Sequence, residues 1–202
     1  MNSPAAPLFS VRGLTKHFDG IKAVDSLSFD VAEGSITGII GPNGAGKTTV
    51  FNIVTGLYRP TAGSVLFRGE SITGLRPDRV VRRGIARTFQ NIRLFNRRSC
   101  LDNVMTPLFQ RERCSFLGSL LGTPSTRRME RELRERAVGL LQVLGLERFA
   151  STQADNLPYG FQRKLEIARA LATEPSLLLL DEPAAGMNPE ETRSLADLIA
   201  EV

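Results

Sequence analysis

The sequence predicts an α/β fold: an N-terminal antiparallel β-subdomain beside an α/β core, with an α-helical subdomain inserted into that core. Three observations predict it. An apolar, β-branched run (Ile36, Ile39, Ile40) leads into a glycine-rich turn and then into a helical period at Val50, Ile53, Val54 and Leu57. Residues 91–175 carry helical periods almost throughout. Four leucines at 177–180, bracketed by Pro175 and Pro183, form a run too short for a helix and suited to a central parallel strand.

In chain order, residues 8–12 read as a strand, and Asp19-Gly20 marks a tight turn into a second strand that alternates from Ala23 to Val31. Gly56 sits where the first helix should stop. Pro60-Thr61-Ala62-Gly63 reads as a turn before a short strand over 64–67. A short helix over 76–83 is stopped by Gly84, and a strand over 85–89 ends at Gln90. The helical block, about 91–175, begins with residues 101–108. It includes an apolar patch at 116–121 and a stripe of Met129, Leu133, Ala137, Leu140, Leu141 and Leu144 capped by Gly145. A further stripe follows at Phe161, Leu165, Ala168 and Ala172. Asn188 reads as an N-cap with Pro189 at N1 and Glu191 at N3, opening a last helix through Leu195, Leu198 and Ile199.

The turn at Gly41, Pro42, Asn43, Gly44, Ala45, Gly46, Lys47, Thr48 and Thr49 fits G-x-x-x-x-G-K-[ST], the P-loop. Its glycines let backbone N–H groups converge on phosphate oxygens, and the helix that follows adds partial positive charge. Lys47 is expected to reach the β- and γ-phosphates and Thr48 to ligate Mg²⁺. Asp181-Glu182, ending an apolar strand, reads as a Walker B pair in which Asp181 holds Mg²⁺ and Glu182 orients the attacking water. Gln90, where strand meets helical block, is a candidate for Mg²⁺ or for that water. Phe18 is a candidate for stacking on adenine, and equally for the hairpin core; His17 reads as a surface residue. Leu157, Pro158, Tyr159, Gly160 and Phe161 open a helix whose N-terminus offers a second anion site. Two phosphate sites so far apart in one chain make sense when a second copy, packed head-to-tail, places this turn over the first copy's ATP.

At 202 residues the chain is one domain, or one domain with a subdomain. No apolar run approaches the ~20 residues of a membrane span, and Met1-Asn2-Ser3-Pro4 does not open a signal peptide. Cys100 and Cys114 lack metal spacing and fit a reducing cytosol. The net charge of +5 owes much to Arg97, Arg98, Arg111, Arg113, Arg127, Arg128, Arg131, Arg134 and Arg136. These form either a solvated helical face or a surface near anionic lipid or a partner protein. No aromatic-interleaved basic motif points to nucleic acid.

Together these motifs resemble the ATP-binding subunits of ABC transporters, over nearly the whole chain. The resemblance implies an adenine-stacking role for Phe18, the Q-loop glutamine in Gln90 and a D-loop at Ala185-Gly186-Met187-Asn188. Within the family the chain is most similar to ATPases of branched-chain amino-acid uptake. Ala86 to Phe95, the insert around Leu117 to Arg128, Tyr159-Gly160, Leu165 to Arg169 and Asp181 to Pro189 carry this. ATPases for urea uptake and lipopolysaccharide export are near neighbours, and a soluble ABC-type ATPase acting on DNA or ribosomes is the alternative outside transport. The resemblance implies ATP and Mg²⁺ as ligands and a second ATPase subunit, identical or paralogous, as partner. It also implies transmembrane permease subunits, a periplasmic binding protein acting indirectly, and a peripheral position on the cytoplasmic face of the inner membrane. The sequence departs from the usual Leu-Ser-Gly-Gly-Gln signature at Pro158, Tyr159 and Phe161; the tyrosine is normal for the amino-acid subgroup, whereas Phe161 removes a polar side chain. The family's switch histidine should follow the strand after Walker B, yet His17 is the only histidine in the sequence and 20 residues follow Glu182 (202 − 182). The expectation is an ATPase domain shortened at its C-terminus.

Overall fold

The computed structural model describes residues 6–111 and 123–201. The expected features at Met1-Asn2-Ser3-Pro4, Arg113, Cys114, the 116–121 patch, the start of the insert at Leu117, and the side chain of Arg111 lie outside the described residues. The chain divides into two compact units, Met1–Ile85 and Ala86–Val202.

The first unit is built on a four-stranded antiparallel sheet in the order β2-β1-β3-β4, with β1 Phe9–Phe18, β2 Ile21–Val31, β3 Ala62–Phe67 and β4 Glu70–Ser71. Asp19 (φ 42°) and Gly20 (φ 89°) both turn left-handed, the geometry that a two-residue hairpin requires. Register runs from Phe9↔Val31 to Phe18↔Ile21 with irregularities at 11–17. Val11, Leu14, Val65 and Phe67 bury one face of the sheet. Helix α1, Lys47–Val54, buries Val50, Ile53 and Val54 and stops at Gly56 (φ 76°), as expected. Helix α2 is Pro77–Arg82, with Pro77 in its first turn and Gly84 (φ 92°) beyond its end.

The run before the glycine-rich turn differs from expectation. Residues 36–40 form no strand, and Ile36 and Ile40 are 75% and 94% exposed. A parallel strand needs a parallel neighbour. In this unit β1 to β4 pair only with one another and antiparallel, so the run has the composition of a buried strand without a ladder to join.

In the second unit, helices α3 (Cys100–Arg111), α4 (Pro124–Val143) and α5 (Tyr159–Leu171) share one apolar core. Val104 and Leu108 of α3 meet Leu133, Ala137 and Leu141 of α4 and Leu165 and Ala168 of α5. Thr123 caps α4 through its hydroxyl, which accepts from the Thr126 N–H, and Gly145 (φ 66°) follows its end. Short β5 (Ile85–Arg87) pairs with β6 (Leu177–Leu179), and Thr88 N–H donates to Leu179 O at 3.0 Å. The leucines of β6 are half-buried rather than fully buried, and among the described residues β6 ladders with β5 alone rather than lying at the centre of a sheet. Helix α6, Pro189–Glu201, starts on the expected capping box. Asn188 Oδ1 accepts from the N–H groups of Glu190 and Glu191, and Asn188 N–H donates to Glu191 Oε2 at 3.0 Å. Leu195 and Leu198 are its buried stripe.

Candidate functional site

In the first unit the loop at 41–49 heads α1. Gly46 is the N-cap, at φ 83°, and Gly44 lies at φ 84°. A Cβ on Gly46 would stand 2.1 Å from the Ala23 carbonyl oxygen in β2, so the loop passes against the sheet where only glycine fits. Ala45 N–H donates to Pro42 O at 3.2 Å, which curls the loop, and no acidic residue occupies the first turn of α1. A helix N-terminus behind a glycine-rich loop is the arrangement that suits an anion. Lys47 is folded back over the loop, its Nζ donating to Gly41 O (2.6 Å) and Pro42 O (2.9 Å). Gly41, Pro42, Asn43, Gly44, Ala45 and Thr48 are exposed, whereas Lys47 and Thr49 are half-buried.

Phe18 ends β1 and is 38% exposed. Its ring meets the Tyr58 ring edge-on at 5.4 Å, and Lys16 Nζ lies 4.8 Å from its centroid. An exposed aromatic beside a second ring and a cation has the chemistry to stack on a flat heterocycle. Tyr58 was not among the residues that sequence reasoning selected; an aromatic just beyond the Gly56 helix stop was the only signal.

In the second unit the acidic pair splits. Asp181 is buried and its Oδ2 accepts from Arg87 Nη2 at 2.8 Å, both side chains 4% exposed. Glu182 is exposed, holds a left-handed backbone (φ 48°), and its Oε2 accepts from Gln90 Nε2 at 3.2 Å. Positive φ in a non-glycine residue is costly; here it turns Glu182 away from its buried neighbour and toward Gln90. The structure thus brings Gln90 and Glu182 together, and gives Asp181 a partner, Arg87, that sequence reasoning missed. An arginine in a strand three residues before the glutamine was the available signal.

The turn at 157–161 opens α5, with Pro158 as N-cap in an extended conformation (ψ 149°). Leu157 is buried, Tyr159 is exposed, and a Cβ on Gly160 would come within 2.8 Å of Glu191 Oε1. Phe161 packs on Phe149 (centroids 4.9 Å apart) with Arg148 over both rings. Its departure from the signature therefore serves the helical core, and Gln162, one position on, supplies an amide that donates to Leu157 O at 2.8 Å. Two further charged residues on α5, Arg163 and Glu166, are buried, pair at 3.3 Å and bond the backbone around Gln90. They were missed too, although opposite charges three apart within an otherwise apolar face are readable as a pair.

Residues 24–185 match the ABC transporter family. The chain is 46% identical over 196 residues to LivG, a high-affinity branched-chain amino acid transport ATP-binding protein of Escherichia coli, covering 97% of this chain and 77% of that protein. The same identity and coverage hold for BraF, of the same description, from Pseudomonas aeruginosa. A probable branched-chain amino acid transport ATP-binding protein of Archaeoglobus fulgidus is 38% identical, with 96% of this chain and 75% of that one covered. Among solved structures, the ADP conformation of an ABC transporter's ATP-binding cassette superposes with a TM-score of 0.82 at 32% identity, covering 98% of this chain and 77% of that one. A dimeric cassette bound to ADP and Pi after hydrolysis gives 0.77 at 29% identity, covering 95% and 81%. Among the described residues no helix is long and apolar enough to cross a membrane. The chain belongs to the ABC transporter family, in the group of branched-chain amino-acid transport ATP-binding proteins.

Proposed function

We propose that this chain is the ATP-binding and ATP-hydrolysing subunit of an ABC importer for branched-chain amino acids. The glycine-built loop heading α1 carries the reading: left-handed Gly44 and Gly46 open the backbone, and no acidic side chain in the first turn opposes an anion. In this reading Gly41, Pro42, Asn43, Gly44, Ala45, Gly46, Lys47, Thr48 and Thr49 bind the nucleotide phosphates. Phe18 stacks on adenine, and Lys47 exchanges the Gly41 and Pro42 carbonyls for phosphate oxygens.

Thr48 in the first unit, and Gln90 and Asp181 in the second, would each offer Mg²⁺ a hard oxygen atom, and Mg²⁺ commonly takes one or two protein groups with phosphates rather than an all-protein cage. When bound, the ion would neutralise phosphate charge; in this reading Glu182 orients the attacking water, and Gln90, bonded to it, fixes its direction. Leu157, Pro158, Tyr159, Gly160 and Phe161 form the surface offered to the nucleotide of a second ATPase subunit, identical or paralogous. The helical subdomain, about 91–175, is the surface for the permease subunits, which receive substrate from a periplasmic binding protein. The chain then works peripherally at the cytoplasmic face of the membrane.

The test is ATP turnover by the chain assembled with its permease subunits. Glu182→Gln should keep ATP binding and lose at least about 100-fold in turnover, the lower end of general acid–base contributions. An unchanged rate would remove Glu182 from the role.

A further inference from the structure

We propose that Arg163 and Glu166 are positioning residues that pin the backbone around Gln90 to the first turns of α5, so that the Gln90–Glu182 pair is set by the turn at 157–161. The inference rests on the function just proposed for Gln90 and Glu182. Its geometry lies wholly within the second unit.

These two side chains hold backbone polar groups on both sides of Gln90. Arg163 Nη1 donates to Phe89 O at 2.7 Å, and its Nη2 donates to Gln90 O and, at 3.0 Å, to the Tyr159 hydroxyl. Glu166 Oε1 accepts from Phe89 N–H (3.2 Å) and Arg93 N–H (3.3 Å), while its Oε2 accepts from Arg163 Nη1. The loop is therefore fixed on both sides of Gln90, and the amide of Gln90 is left to donate to Glu182.

A pair this buried, 3% and 4% exposed, is a poor way to gain stability, since two charges must leave water. Arg163 Nε is moreover buried without a hydrogen-bond partner among the described residues. Apolar side chains would hold a loop against a helix at least as well. What the pair adds is direction: the planar guanidinium fork presents donors at fixed angles and so reads Phe89 O, Gln90 O and Tyr159 together. Any rotation of the first turn of α5 drags the Phe89 and Gln90 carbonyls and reorients the amide bonded to Glu182. In a two-subunit assembly the 157–161 turn meets the other subunit's nucleotide. Arg163 and Glu166 then make one subunit's hydrolytic geometry depend on whether its turn is engaged.

The test uses the full chain with Arg163→Met/Glu166→Leu, which keeps volume and removes the pins, and with Arg163→Lys, which keeps charge but cannot span the three acceptors. Without nucleotide, the double variant should exchange the Phe89 and Arg93 amide hydrogens roughly ten-fold faster or more while α3 amides are unchanged, the scale of one lost hydrogen bond. With the permease subunits present, each variant should lower kcat for ATP by roughly ten-fold with KM within about two-fold. Neither should lower it further in a Gln90→Ala background. Unchanged protection at Phe89 and Arg93, or an equal loss of kcat with and without Gln90, overturns the proposal. Should the double variant not fold, Arg163→Lys and its Gln90→Ala combination decide alone. A wild-type assembly that never turns over ATP would instead defeat the functional reading, and the exchange result would still decide the pinning.

Discussion

Replacing Gly46 by alanine separates two costs that the loop before α1 carries. The residue sits at φ 83°, where an L side chain costs about 1–2 kcal/mol. Its new Cβ would lie 2.1 Å from the Ala23 carbonyl oxygen, so the two must part by 1.3 Å to reach the 3.4 Å of ordinary contact (3.4 − 2.1). Ala23 is fixed within β2, whose next residue Val24 pairs with Lys16 of β1, so the loop and the start of α1 must give way. Overpacking of this kind adds about 1–3 kcal/mol, which makes about 2–5 kcal/mol in all. Gly44 is the internal control: it has nearly the same φ, 84°, and open space where a Cβ would point. Gly44→Ala should pay only the conformational cost of about 1–2 kcal/mol. Urea unfolding followed by circular dichroism measures both, with titration of a fluorescent ATP analogue on the folded variants. Gly46→Ala should be less stable than Gly44→Ala by about 1–3 kcal/mol and bind the analogue more weakly. Equal stabilities would refute the close approach of loop and sheet.

Arg87→Met should destabilise the second unit by about 3–5 kcal/mol, because it leaves the buried Asp181 carboxylate without its cation. Adding Asp181→Leu should recover most of that loss in the same urea experiment, and strict additivity of the two changes would contradict the pairing. Cys100 is fully buried, and burial pushes its thiol up to about 11. In a Cys114→Ser background it should react with a maleimide at pH 8 only after unfolding. The sign follows from linkage: a raised thiol pKa stabilises the fold below the unfolded value, and that contribution fades as pH climbs from about 9 toward about 11. Fast labelling of the folded chain would show that the α3 core is open.

The parts of the site that were legible in the sequence are those made by neighbouring residues. The 41–49 loop, the Asp19-Gly20 turn, the Asn188 capping box and the Gly56, Gly84 and Gly145 stops each depend on backbone conformations set within a few positions. Helical stripes were legible for the same reason, since Leu133, Ala137 and Leu141 repeat at the period of their own helix. The run at 36–40 misled because β-branched composition reports suitability for a pleated, covered surface rather than the presence of a neighbouring strand. Phe161 was read both as a departure from the signature and as part of a helical stripe, and its ring packed on Phe149 follows the stripe.

What was not legible joins residues far apart. Arg87 meets Asp181 across 94 positions, and Arg163 meets Phe89 and Gln90 across 74 and 73. No local period predicts such pairs, but a thermodynamic asymmetry singles them out once the fold is known. The core shared by α3, α4 and α5 is apolar, whereas Arg87, Asp181, Arg163 and Glu166, all charged and buried, gather on the strand ends and helix face that border residues 87–93. Buried charge seldom improves stability over apolar packing, so its gathering, among the described residues, at one segment of the second unit is better explained by direction than by strength. That segment carries Gln90, and Gln90 bonds Glu182. The first unit builds its proposed phosphate loop from backbone, which glycine spacing reveals; the second orients its carboxylate with side chains, which only the folded chain reveals.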